Sequence, residues 1–164
     1  MKVVFYLNVV SPHQLPLANE IVKQIGENEF RYVYQERSMD ERVQMGWGEG
    51  QLPRWCVPYA GNEDLVLAAD LLYVGGMRPI DLIEKRAKAG KITVYPTERW
   101  FKPVSICRVF GLFDCSISGW VRMLFPSYRK MARRFMRWLN DDPNARCLAI
   151  GPWAAKDMRR LGVR

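Results

Sequence analysis

The chain has a single histidine, and its four cysteines, Cys56, Cys107, Cys115 and Cys147, contain no C-x-x-C pair. With imidazole this scarce and thiols this scattered, a zinc site and a disulfide framework are excluded as organising principles, and the thiols are expected to be free and buried. No apolar run reaches the ~18 residues that a membrane-spanning helix requires, because Arg108, Asp114 and Arg122 interrupt the most hydrophobic stretch. The opening MKVVFYLNVV has one Lys and no small-residue cleavage site, so it reads as a strand and not as a secretory signal. A cytoplasmic location is the expectation. No predicted strand is followed by G-x-G-x-x-G, which removes the dinucleotide fingerprint. The acidic cluster of a response-regulator receiver is also missing after the first strand. Neither a metal nor a cofactor is expected.

What is present is enough apolar residue for one core: 164 residues at 49% hydrophobic content predict a single domain over residues 1–164. The net charge of +8 is confined to one segment. Residues 99–138 hold nine Lys and Arg against Asp114 alone, while the rest balances 16 basic with 16 acidic residues. A field of one sign in one place attracts a polyanion or an anionic membrane surface to one part of the molecule.

Hydrophobic periodicity orders the chain as alternating strands and helices. Lys2–Asn8 is apolar on both faces, as a buried parallel strand must be. Pro16, then Leu17, Ile21, Val22 and Ile25 at helical spacing, and finally Gly26 mark a helix with its start and stop. Phe30–Gln35 reads as a second strand, and residues 38–58 as a long irregular connection. A short helix runs from Asn62 to Ala69, a third strand from Leu71 to Val74, a helix from Ile80 to Ala89 and a fourth strand from Ile92 to Tyr95. Residues 100–120 give no clear period. After Pro126, Ser127 is expected to cap a helix with Tyr128, Met131, Phe135, Trp138 and Leu139 in one stripe and basic residues around the other face. Asp141-Asp142-Pro143 ends it, Ala145–Ile150 is a fifth strand, and Pro152–Leu161 a last helix stopped by Gly162. Repeated β-α-β order predicts a Rossmann-like α/β fold, three layers thick, with a mainly parallel sheet.

The segments YLNVVSPHQLP, LLYVGG, ITVYPTERW and CLAIGPWAAKDMRRLGV, in that order and spacing, resemble the N-terminal domain of bacterial glycosyltransferases of the two-domain GT-B fold (group 1, family 4-like). The resemblance covers nearly the whole chain and implies one half of such an enzyme, with the donor-binding domain expected beyond Arg164. It implies transfer of a sugar from a nucleotide-sugar donor, held mainly by that other domain, to a cell-envelope glycan or a lipid-linked acceptor such as those of lipopolysaccharide assembly. It also implies a peripheral place on the inner face of the membrane. The alternative is a stand-alone flavodoxin-like binding or regulatory module that recruits an anionic partner.

The resemblance assigns His13, in the H-x-x-P spacing of Ser11-Pro12-His13-Gln14-Leu15-Pro16, as general base for the acceptor hydroxyl, a task suited to a group with a pKa of about 6.5. A loop histidine bonded only to backbone is the competing reading. Glu98, after the fourth strand, is the carboxylate that would orient His13, or a surface acid paired with Arg99 or Arg78. Ser11, Gly75, Gly76, Arg78 and Arg99 are expected on the acceptor side. For the basic helix, Arg129, Lys130, Arg133, Arg134, Phe135, Arg137 and Trp138 are expected to contact an anionic membrane surface. The alternatives are that its apolar stripe is core, or that it binds nucleic acid, which no recognised motif supports.

Overall fold

Seven consecutive residues, Val3–Val9, form β1, and all but Asn8 are buried. A strand apolar on both faces needs cover on both, and it obtains this at the centre of a parallel sheet. The computed structural model describes residues 1–36, 44, 51–76, 78–98, 100–101, 104–105, 116–117 and 119–163. These divide into two compact units, Met1–Tyr95 and Pro96–Arg164.

In the first unit the chain runs β1, α1 (Leu15–Ile25), β2 (Phe30–Glu36), β3 (Cys56–Pro58), α2 (Glu63–Ala68), β4 (Leu71–Gly75), α3 (Ile80–Lys88) and into β5 (Ile92–Thr97). The strands pair in parallel in the order β3-β2-β1-β4-β5. Strand alternation sorts the core onto two faces. Val3, Phe5 and Leu7 join Phe30, Tyr32 and Trp55 in one cluster, against which Ile21, Val22 and Ile25 of α1 pack. Phe5 stacks on Tyr73 at 4.4 Å between centroids and meets Phe30 edge-on at 5.2 Å. Val4 and Tyr6 point the opposite way, where α2 packs on β1 and Tyr6 stacks on Tyr59 at 4.8 Å. Helices therefore cover both faces of a parallel sheet, the Rossmann-like α/β class that the sequence predicts.

The second unit starts with the last residues of β5 and adds β6 (Val104–Ser105) paired antiparallel with β7 (Ser116–Ile117). A 3-10 turn at Gly119–Leu124 leads to α4 (Pro126–Asp141), β8 (Ala145–Ala149) and α5 (Pro152–Arg160). Ile150 N donates to Thr97 O (2.7 Å), which sets the end of β8 beside the end of β5. The α4 stripe forms the core here: Phe135 lies 5.2 Å from Trp100 and 5.3 Å from Trp138. Asp157, 2% exposed, accepts the N–H groups of Trp100 and Phe101 at 3.1 Å each, fixing the segment after β5 to α5.

Two expectations from sequence are corrected. The stretch 38–58 is not all irregular, since Cys56–Pro58 pairs with β2. Three residues ending in proline carry no period, so only the neighbouring strand reveals them. Ser127 does not cap α4: the helix begins at Pro126 with Phe125 in the capping position and no side-chain cap. Proline is favoured in the first helical turn, and it sets the start one residue earlier. Most of residues 38–50 and 102–118, including Cys107, Gly111 and Cys115, lies outside the described residues.

One buried cation ties three elements together. Arg86 of α3 is 1% exposed. Its Nη1 donates to the carbonyls of Val66 (2.8 Å), Leu67 (3.0 Å) and Ala69 (3.0 Å), its Nη2 to Ile92 O (2.8 Å) and its Nε to Thr93 Oγ1 (3.1 Å). The carbonyls at the end of α2 have no partner within the helix and carry the negative end of its dipole, so a guanidinium satisfies them in both hydrogen bonding and charge. Burial lowers the Arg86 pKa to about 10. Arg86→Met should destabilise the fold by about 3–5 kcal/mol, because the carbonyls stay buried and lose their donors. Arg86→Lys should restore only part of this, since an ammonium offers three donors. Urea titration checks both, and an Arg86→Met loss within about 0.5 kcal/mol of wild type would show that the carbonyls find other partners.

Candidate functional site

The chain leaves β1, forms β2 on one side, and returns to form β4 on the other, so the β1–β2 and β1–β4 connections diverge at the carboxyl end of β1. In open α/β sheets this switch in strand order opens a crevice beyond the carboxyl ends of the strands, and ligands bind there. The first unit brings five expected residues to that edge: Ser11 and His13 after β1, and Gly75, Gly76 and Arg78 at the end of β4 and just after it.

The β1–α1 connection is a tight turn held from below. Ser11 O accepts from Gln14 N (3.0 Å) and Leu15 N (3.2 Å), and Ser11 Oγ accepts from His13 N (3.3 Å). Tyr32, fully buried in β2, donates its hydroxyl to Val9 O (3.0 Å) and accepts from Ser11 N (3.1 Å). A rigid phenol from the neighbouring strand thus fixes where the loop leaves the sheet. His13 is exposed on that turn.

The register that sets Leu7 against Gly75 brings Asn8 opposite Gly76. Gly76 has φ +74°, and a Cβ there would lie 2.7 Å from Asn8 Cγ, so the Asn8 carboxamide occupies the space a side chain would need. Both constraints demand glycine. Gln14, at the capping position of α1, has its Oε1 buried with no hydrogen-bond partner among the described residues. A buried carbonyl oxygen without a donor is uncommon in a folded protein.

Asn8 and Gln14 are the site residues that sequence reasoning missed. The signal for Asn8 was present: it is the one polar side chain in VVFYLNVV. Gln14 carried none, because its environment is made by the turn.

The other expected residues lie in the second unit. Glu98 is exposed directly after β5, and Arg99 lies outside the described residues. Arg129, Lys130, Arg133 and Arg137 are exposed on α4, and Arg134 is half-buried. Phe135 and Trp138 are 0% and 5% exposed, so they are core and cannot meet a membrane from where they sit. A stripe at helical spacing looks the same in sequence whether it faces lipid or a protein interior. Among the described residues, no group of three His, Cys, Asp or Glu could hold a metal ion. Cys56 and Cys147 are free and half-buried, and burial raises both thiols, Cys56 to about 12.

No protein-family model matches the chain. No curated protein matches it either. The site's chemistry therefore rests on the residues themselves: a turn fixed by Tyr32, a glycine whose side-chain space Asn8 fills, two uncharged carboxamides, the Arg78 guanidinium and an exposed imidazole.

Gly76→Ala should cost about 1–3 kcal/mol, from positive φ and from collision with Asn8. Adding Asn8→Ala should recover the collision and leave the backbone cost, giving a double-mutant coupling of about 0.5 kcal/mol or more in chemical denaturation. Strictly additive losses would refute the contact.

Burial pushes the Tyr32 phenol up to about 12. A free phenol titrates near 10, so the fold holds this proton more tightly than the unfolded chain does. Its contribution is whole below about pH 10 and is lost as pH rises from about 10 to about 12. Cys56 adds a similar loss that starts near pH 9. Tyr32→Phe should therefore remove about one proton from the alkaline stability slope, and an unchanged slope would reject the assignment.

Proposed function

We propose that this chain is the acceptor-binding domain of a GT-B type glycosyltransferase that moves a sugar from a nucleotide-sugar donor to a cell-envelope glycan or lipid-linked acceptor. The observation that carries this reading is the set of uncharged polar groups that stand with His13 and Arg78 at the switch point. Asn8 and Gln14 each carry a carboxamide and Ser11 a hydroxyl at this edge. Carboxamides both donate and accept, which matches a ligand made of hydroxyl groups. A phosphate-rich ligand calls instead for a Gly-rich loop or a basic cradle at that position, and no G-x-G-x-x-G follows any strand.

In this reading His13 is the general base. It takes the proton of the acceptor hydroxyl as that oxygen attacks the anomeric carbon and the nucleoside diphosphate leaves. Arg78, at the same sheet edge, lies on the acceptor side. In such enzymes the donor is held mainly by another domain, and this chain supplies the acceptor side.

Amide-resolved NMR of the chain titrated with envelope oligosaccharides tests this. Shifts are expected at residues 8–14 and 75–78, reduced by Asn8→Ala, with no response to nucleotide sugars. Sugar transfer by the isolated chain, or donor binding without acceptor binding, would overturn the proposal. In an enzyme that includes the donor domain, His13→Ala should lower kcat about 10²–10⁴-fold with little change in acceptor affinity.

A further inference from the structure

Among the described residues, the second unit leaves large apolar side chains in water at two places. Leu124 and Phe125 precede α4, whereas Leu148, Ile150 and Trp153 follow one another from β8 into α5, at 52%, 52% and 59% exposure. Leu148 and Ile150 stand two apart, so strand alternation puts both on one face, after exposed Arg146. The hydrogen bond from Ile150 N to Thr97 O sets this end of β8 beside the end of β5, where exposed Glu98 follows. α5 begins at Pro152, which puts Trp153 in its first turn. Lys156, one helical turn on, holds its Nζ 5.4 Å from the centroid of the Trp153 ring. A cation against the ring steadies an indole that is otherwise mostly in water, so less freedom is lost when the ring meets a ligand.

Trp153 does not pack the core from α5; Ala154 and Met158 do that. It is a flat apolar surface with an ammonium at its side, at the carboxyl end of a strand, where α/β folds carry their binding loops. A pyranose ring has the matching form, with C–H bonds across a face and hydroxyls around the rim. The weakly positive C–H bonds meet the negative face of the indole, and a rim hydroxyl accepts from the ammonium. Size also favours a glycan over a protein partner. Three side chains about half exposed offer on the order of 300 Å², well under the roughly 800 Å² per partner of a stable protein interface.

We propose that Trp153 is a stacking platform for a pyranose ring of an oligosaccharide, with Ile150 and Leu148 extending the apolar surface and Lys156 bonding a rim hydroxyl. The ligand class rests on the glycan-acceptor reading above, but the subsite uses none of residues 8–14 or 75–78. It lies wholly within the second unit, Pro96–Arg164.

The test is NMR of the full chain, resolving backbone amides and indole N–H groups, titrated with cellotetraose and with chitotetraose. Sorbitol, which has hydroxyls but no ring face, is the control. Either tetrasaccharide should shift the Trp153 indole and residues 148–156, and sorbitol should not. Trp153→Ala should weaken this response about three- to tenfold, Trp153→Phe should retain part of it, and Asn8→Ala should leave it unchanged. Trp153 is exposed, so unchanged thermal unfolding certifies the variants. Shifts at 8–14 and 75–78 with 148–156 silent would overturn this inference and leave the acceptor reading standing. Shifts at 148–156 alone would sustain it and move glycan binding away from the switch point. Undiminished binding by Trp153→Ala, or an equal response to sorbitol, would also overturn it. So would sedimentation showing a dimer that Trp153→Ala dissolves, since the patch would then belong to a second copy.

Discussion

A guanidinium with almost no exposure is an expensive thing to fold, since the charge loses its water and must recover equivalent contacts from the protein. Arg86 recovers them from backbone: three carbonyls at the end of α2, one at the start of β5, and the Thr93 hydroxyl. The geometry this enforces is specific. Ala69 precedes β4 and Ile92 begins β5, so one side chain fixes where two neighbouring strands start. Lys2 adds the third, with its carbonyl accepting from Asp70 N (2.9 Å) and its N–H donating to Asp70 Oδ2 (2.8 Å). Strands aligned at their amino ends with common register also end in register, which is what brings Asn8 opposite Gly76 at the far edge.

That far edge is fixed from a second direction by Tyr32. Its hydroxyl bonds the last residue of β1 and the first turn of the loop, so the β1–α1 connection inherits the rigidity of the sheet. Loops supported this way can hold polar groups at fixed positions without first ordering them on binding. The crevice is thus positioned by residues that would never touch a ligand: an arginine at one end of the sheet and a tyrosine in its core.

The fold was legible in sequence where one period dominates. β1, α1, β4, α3 and α5 were all foreseen within one or two residues, because a buried strand or a one-sided helix imposes its spacing on the apolar residues. β3 was not, since three residues that gain structure only by pairing with β2 have no signature of their own. The site was half legible. Position in the fold follows from strand order, so Ser11, His13, Gly75 and Gly76 could be placed at the edge without coordinates. What could not be read was which side chain faces which: the Asn8–Gly76 contact depends on register, and the buried Gln14 oxygen on the shape of a turn.

α4 shows why an amphipathic pattern by itself does not identify a membrane helix. A helix gains most of its stability by packing an apolar stripe, and protein and lipid reward that stripe alike. Here the stripe is spent internally on Trp100, Phe135 and Trp138. The discriminating feature is therefore what remains apolar after the core is filled. Scattered exposed apolar residues are ordinary on any surface, but Leu124 and Phe125 are adjacent, at a turn, and continue directly into a row of arginines. A helix period cannot reveal such a pair, because both residues precede the helix. It becomes visible only once burial assigns Phe135 and Trp138 to the interior and leaves Leu124 and Phe125, like Leu148, Ile150 and Trp153, turned to solvent.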